Sequence, residues 1–67
     1  MEQGKVKWFN AIKGYGFIAP DNNSGDVFVH VSEVENAGYN NLHPDQAVSY
    51  ELQNNNGKSS AVNLKLI

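Results

Sequence analysis

The chain has 67 residues and a net charge of −2 at pH 7, which fits one domain spanning residues 1–67. It contains no cysteine, so disulfides and thiolate metal sites are excluded, and a reducing cytoplasmic location is expected. No run of residues approaches the roughly 20 apolar residues that a membrane span needs, so we expect no membrane partner. The negative charge argues against a strong general attraction to polyanions.

The first three predicted strands lie in the N-terminal half of the chain. Residues 5–10 alternate only loosely, because Trp8 and Phe9 are both large and adjacent, and this indicates a bulge or a bend. Residues 15–19 and 26–31 read as the second and third strands. The turn-forming residues between them predict that these two strands form a hairpin.

Two more strands are predicted in the C-terminal half. Residues 47–52 and 61–67 alternate between apolar and polar side chains, with a turn at residues 54–57. Residues 32–46 show no useful periodicity and predict a long irregular connection without a helix. Five short strands favour an all-β fold, a small closed barrel rather than a sandwich.

The third strand predicts which side chains face outward. Its valines, Val27, Val29 and Val31, share one face and are suited to the core. By this alternation Phe28 and His30 lie on the opposite face, toward solvent.

The second strand extends the same outer face. If Ile18 and Gly16 point inward, Tyr15 and Phe17 point outward and meet the rings of the third strand across the hairpin. A first strand paired to the second adds Trp8 to this group. Exposed rings with interleaved lysines are suited to stacking on unpaired nucleic-acid bases.

Two other interpretations of these rings remain open. The rings could form a second core beneath the long connection, with Tyr39 and Leu42 as its cover. Alternatively, a small barrel of this type could use its aromatic side chains to bind an oligosaccharide or a protein partner.

The motifs GKVKWFN, KGYGFI, DVFVH, GY and AVSYE follow one another in this order. Together they resemble the cold-shock domain family across nearly the whole chain. The resemblance implies a five-stranded antiparallel barrel of the OB type that binds single-stranded RNA and DNA with little sequence preference. It also implies an RNA chaperone that keeps transcripts unstructured and regulates expression at low temperature.

The resemblance also assigns binding residues. Lysines at two positions would meet phosphates or base edges, and six rings would stack on bases: Lys7 and Lys13, with Trp8, Tyr15, Phe17, Phe28, His30 and Tyr39. Further candidates are Phe9, Asp26, Val31 and Lys58. Two of the further candidates have structural alternatives, since Phe9 could pack inside and Asp26 could cap a turn. Among the six rings, His30 could instead form a hydrogen bond at a strand end.

The chain departs from the family pattern at three places. Val31 stands where a phenylalanine is usual, so one stacking ring is absent, and its alternation with Val29 conflicts with an outward position. Lys58 is the one cation in NNNGKSS, a segment that commonly carries an arginine. Asp45 replaces a usual glycine, which a left-handed backbone would tolerate.

No enzyme signature is present in the sequence. It has no Cys–His pair and no GxSxG motif, and its two histidines lack the spacing of metal ligands. The glycines of KGYGF lack the strand–loop–helix setting of a phosphate-binding loop. We therefore expect a monomeric binding protein with no catalytic site, metal, cofactor or small-molecule substrate.

Overall fold

The computed structural model describes residues 1–67, apart from the side chain of residue 55. The elements of the described chain are β1 (Glu2–Asn10), β2 (Tyr15–Pro20), β3 (Val27–His30), α1 (Val31–Asn36), β4 (Ala47–Asn55) and β5 (Lys58–Leu66). The five predicted strands are all confirmed, although β1 begins earlier and the β4–β5 hairpin is longer than expected.

The strands close into a barrel in the order β1-β2-β3-β5-β4. Neighbouring strands are antiparallel except for β3 and β5, which pair in parallel at Phe28 and Ser60. Strands that alternate in direction cannot close a ring of five without one parallel pair. The predicted OB-type barrel is therefore confirmed as mostly antiparallel.

The short helix α1 was not predicted. Its six residues span less than two full turns and contribute one buried side chain, Val34, so they show no helical periodicity. His30 caps the helix, because its Nδ1 accepts a hydrogen bond from the Ser32 amide at 3.1 Å. The prediction of no helix was therefore wrong. The helix is too short to show a period, and its N-cap, His30, is the last residue of β3.

Left-handed backbone conformations shape two of the turns. Asn56 and Gly57, with φ of 54° and 81°, form the two-residue connection between β4 and β5. Positive φ at both central residues matches the twist of a tight hairpin. Asp45 has a φ of 66°, as expected for an Asp at a position where a glycine is usual.

The barrel interior is filled by aliphatic side chains and by the ring of Tyr50. The inward positions predicted for Val27, Val29 and Ile18 are confirmed, since each is at most 2% exposed. The rest of the buried apolar cluster comprises Val6, Val34, Leu42, Val48, Tyr50, Ala61 and Leu64. Burial of these residues leaves the opposite face of β2 and β3 to carry the predicted rings.

Tyr50 provides a test of the core. It is fully buried, and its hydroxyl has no hydrogen-bond partner among the described residues. Burial raises the pKa of this phenol above its ordinary value of 10.0, and the charges of Glu2 and Asp21 raise the pKa further.

Tyr50→Phe should therefore leave stability at neutral pH unchanged or raise it, because an unsatisfied polar group is removed. Above pH 10, the unfolded phenol ionises before the folded one, so wild-type stability falls as the pH rises. Urea unfolding over a pH series should show a shallower alkaline loss in the variant. An equal loss in both proteins would contradict this role of Tyr50.

Candidate functional site

A bulge in β1 turns two neighbouring side chains outward. The register with β2 shifts between Val6 and Trp8, so Lys7 and Trp8 are both exposed. Trp8 then lies opposite Phe17 on β2. The irregularity predicted from the adjacent large residues is confirmed.

The outward rings of three adjacent strands form one cluster. Across the β2–β3 ladder, Tyr15 pairs with His30 and Phe17 pairs with Phe28. The Trp8 ring centroid lies 5.5 Å from that of Tyr15 and 5.4 Å from that of Phe17. We call Trp8, Tyr15, Phe17, Phe28 and His30 the aromatic platform.

Phe28 lies at the centre of the aromatic platform. Its ring stacks on Tyr15 at 5.9 Å and 22°, and it meets Phe17 edge-on at the same distance. The centroid of the His30 ring lies 6.3 Å from that of Phe28. Such offset and edge-on contacts stabilise ring positions, so the aromatic platform is largely fixed before any ligand arrives.

The rings remain accessible to solvent. Trp8 is 39% exposed, His30 is exposed, and the other three rings are half-buried against each other. The long connection does not cover them, because Leu42 from this connection is only 2% exposed and belongs to the barrel core. These positions argue against a second core beneath the connection.

Tyr39 and Phe9 lie outside the platform within the described structure. The Tyr39 amide donates to the Val34 carbonyl at 3.0 Å, which ties Tyr39 to the end of α1. Its side chain packs on the core and lines a separate groove with Leu66. Phe9 packs against the core and lies opposite Gly16, in agreement with the packing alternative.

Lys7 and Asp26 form an ion pair beside the platform. The Lys7 Nζ lies 2.9 Å from an Asp26 carboxylate oxygen, and both side chains are about half exposed, at 56% and 43%. Lys7 is on β1 and Asp26 directly precedes β3, so the pair links the two strands that flank β2. The preceding turn is capped by Asn22, whose Oδ1 accepts from the Ser24 amide, and not by Asp26. The cation predicted to meet phosphates is therefore already partly neutralised.

A groove borders the Phe28 side of the platform. Its volume is about 800 Å³, and it lies between the platform and the β4–β5 hairpin. It is lined by Phe17, Asp26 and Phe28 on one side and by Asn56, Lys58, Ser59 and Ser60 on the other. Lys58 thus lies beside the platform, as expected, whereas the flanking Asn56, Ser59 and Ser60 were not predicted.

Lys13 and Val31 lie near the other end of the platform. Lys13 is exposed in the turn after β1, and the Val31 amide donates to the Gly14 carbonyl at 2.9 Å. Because β3 ends at His30, Val31 begins α1 and is half-buried, unlike Val29. The alternation that predicted an inward Val31 applies only within β3, which ends one residue before Val31.

Val31→Phe should therefore add a ring beside His30 without overfilling the core. We expect tighter binding of a single-stranded oligonucleotide by about 1 kcal/mol, near the lower limit for one stacked base. Val31→Leu adds volume without a ring and serves as the matched control. A lower melting temperature of Val31→Phe with unchanged affinity would show that residue 31 belongs to the core.

A metal-ligand cluster and a membrane-spanning helix are both absent from the described part of the chain. Its side chains contain no group of three or more His, Cys, Asp or Glu residues placed to hold a metal ion. The described helix is too short and too polar to cross a membrane.

Comparison with known proteins agrees with this geometry. Residues 2–67 match the family model described as the 'Cold-shock' DNA-binding domain. The probable cold shock protein y4cH of Sinorhizobium fredii is 57% identical over 67 residues, covering 97% of each chain. Cold shock protein CspA of Rhizobium meliloti is 52% identical with the same coverage, and the major cold shock protein of Micrococcus luteus is 55% identical over 79% of each chain. The family match over residues 2–67, on a closed five-stranded barrel with a solvent-accessible aromatic face, places the chain in the cold-shock domain family of nucleic-acid-binding proteins.

Proposed function

We propose that the protein binds single-stranded RNA and DNA by stacking unpaired bases on the aromatic platform. The observation that carries this proposal is the contiguous set of five outward rings on three adjacent strands, held by mutual contacts of 5.4–6.5 Å. A base in a duplex has its faces covered by its neighbours, whereas an unpaired base can place one face on a protein ring. The aromatic platform therefore favours single strands.

Stacking also accounts for low sequence preference, because every base has a π-face. Each stacked base contributes about 1–3 kcal/mol, so several rings together can exceed the electrostatic contribution of a few lysines. This resolves the apparent conflict between a net charge of −2 and a polyanionic ligand.

The Lys7–Asp26 ion pair sets the expected salt dependence of binding. With Lys7 neutralised, Lys13 and Lys58 remain beside the platform to meet phosphates. Two phosphate contacts on a single strand give a log–log slope of affinity against salt of about −1.4.

Asp26→Asn releases Lys7 and should steepen this slope to about −2.1, with tighter binding at low salt. Asp21→Asn changes the net charge equally but lies in the turn after β2, so it should leave the slope unchanged. Titrations of a seven-nucleotide strand over a salt series measure both slopes. If both variants steepen the slope equally, net charge and not the ion pair controls binding.

The same mode of binding supports an RNA chaperone. Bases stacked on the protein cannot pair with another strand, so binding shifts an RNA hairpin toward its open form by mass action. No energy source or cofactor is required. We propose that the protein performs this role in the cytoplasm as a monomer and thereby keeps transcripts unstructured at low temperature.

A hairpin labelled with a fluorophore and a quencher at its two ends tests the chaperone role. Adding protein should open the hairpin in proportion to the protein concentration without ATP, and Phe28→Ala should open it less. An excess of neutral oligosaccharide should not compete. Displacement by the oligosaccharide, with no hairpin opening, would instead favour a sugar-binding barrel.

A further inference from the structure

Ile12 is an apolar side chain held in solvent by a well-defined turn. It is 98% exposed, more than Met1 at 74% or Ile67 at 71%. Asn10 fixes the turn, because its Oδ1 accepts from the amides of Ile12 and Lys13, both at 3.0 Å. The Gly14 amide also donates to the Asn10 carbonyl at 2.8 Å. These three hydrogen bonds hold Ile12 away from the core.

The turn adjoins one end of the aromatic platform. Gly14 accepts a hydrogen bond from the Val31 amide, and the next residue, Tyr15, lies opposite His30. A strand that stacks along the platform and leaves at the Tyr15 end must therefore pass close to this turn. Lys13, directly after Ile12, supplies a positive charge there for the phosphates of that strand.

We propose that Ile12 is a wedge that packs on the terminal base pair of a duplex adjoining the bound single strand. This inference rests on the proposed binding of single strands by the platform. The end of a duplex stem presents the flat apolar face of its last base pair, and isoleucine is one of the side chains that proteins insert between base steps. The wedge would act where a single-stranded segment meets a stem, which is the point at which a hairpin begins to open.

The test compares a free strand with a junction. The ligands are a seven-nucleotide single strand and a stable hairpin that carries the same seven nucleotides as a 5′ or a 3′ overhang. Ile12→Ser should bind the single strand within about twofold of wild type, because Ile12 lies outside the platform. Ile12→Ser should bind one of the two hairpins, either the one with the 5′ overhang or the one with the 3′ overhang, at least threefold more weakly than wild type does.

Ile67→Ser is the matched control, since Ile67 is also highly exposed but follows β5 at the C-terminal end. It should bind all three ligands as wild type does, and Ile12→Leu should retain the binding of junctions. If Ile12→Ser binds both hairpins as wild type does, Ile12 is not a wedge. The same conclusion follows if its affinity for the single strand falls by the same factor as its affinity for a hairpin. Failure of wild type to bind the single strand would instead overturn the proposed function of the platform.

Discussion

Phe28→Ala is expected to weaken binding of a short single strand by about 5- to 150-fold, equivalent to about 1–3 kcal/mol. Phe28 contacts the rings of Tyr15, Phe17 and His30, so its loss removes one stacking surface and loosens its neighbours. Phe17→Ala should have an effect of the same size, because Phe17 faces Phe28 across the ladder and contacts Trp8. Fluorescence titration of the variants measures both losses.

Both variants should remain folded, since these rings lie on the outer face of the barrel. Circular dichroism establishes that the fold survives before affinities are compared. Leu52→Ala is a suitable control, because Leu52 is a 49% exposed apolar residue on β4 and should bind as wild type does. If Phe28→Ala unfolds while its remaining folded fraction binds normally, Phe28 belongs to the core and not to a binding surface.

Gly16→Ala is expected to have the largest effect on stability. A Cβ atom at this position would overlap the Trp8 carbonyl oxygen and would lie 2.7 Å from the Phe9 Cα. Both contacts are with backbone, so β1 and β2 would have to separate where Trp8 joins the platform. We expect a loss of about 3 kcal/mol or more in the free energy of unfolding, beyond the usual cost of overpacking.

Gly38→Ala separates this steric effect from backbone strain. Gly38 has a φ of +91°, but an added Cβ would have open space around it. Its replacement should therefore cost about 1–2 kcal/mol, the conformational penalty alone. Urea unfolding of the two variants measures the difference. Equal losses would mean that the close approach of β1 and β2 does not constrain the barrel.

The platform could be predicted from the sequence because its residues lie in strands with clear alternation. Val27 and Val29 identify the inner face of β3, and strand geometry then places Phe28 and His30 outside. The hairpin turn between β2 and β3 fixes which rings lie opposite. The alternation of side chains within each strand and the pairing of neighbouring strands were sufficient to predict the platform.

Contacts between distant segments could not be predicted in the same way. Lys7 and Asp26 are 19 positions apart, and their ion pair depends on the bulge in β1 and on β2 lying between them. The position of Ser60 beside Phe28 depends on the parallel contact that closes the barrel. The position of Tyr39 at the end of α1, apart from the platform, could not be predicted because α1 has too few residues to show a period.

The central claim, that unpaired bases stack on the aromatic platform, is tested most directly by the fluorescence of Trp8, the one tryptophan in the chain. The protein should be titrated with a seven-nucleotide single strand and with a blunt duplex of the same sequence. We predict saturable quenching by the single strand, with a salt slope near −1.4, and little or no quenching by the duplex. Equal affinity for the duplex, or a slope as steep as about −4, would contradict binding by base stacking.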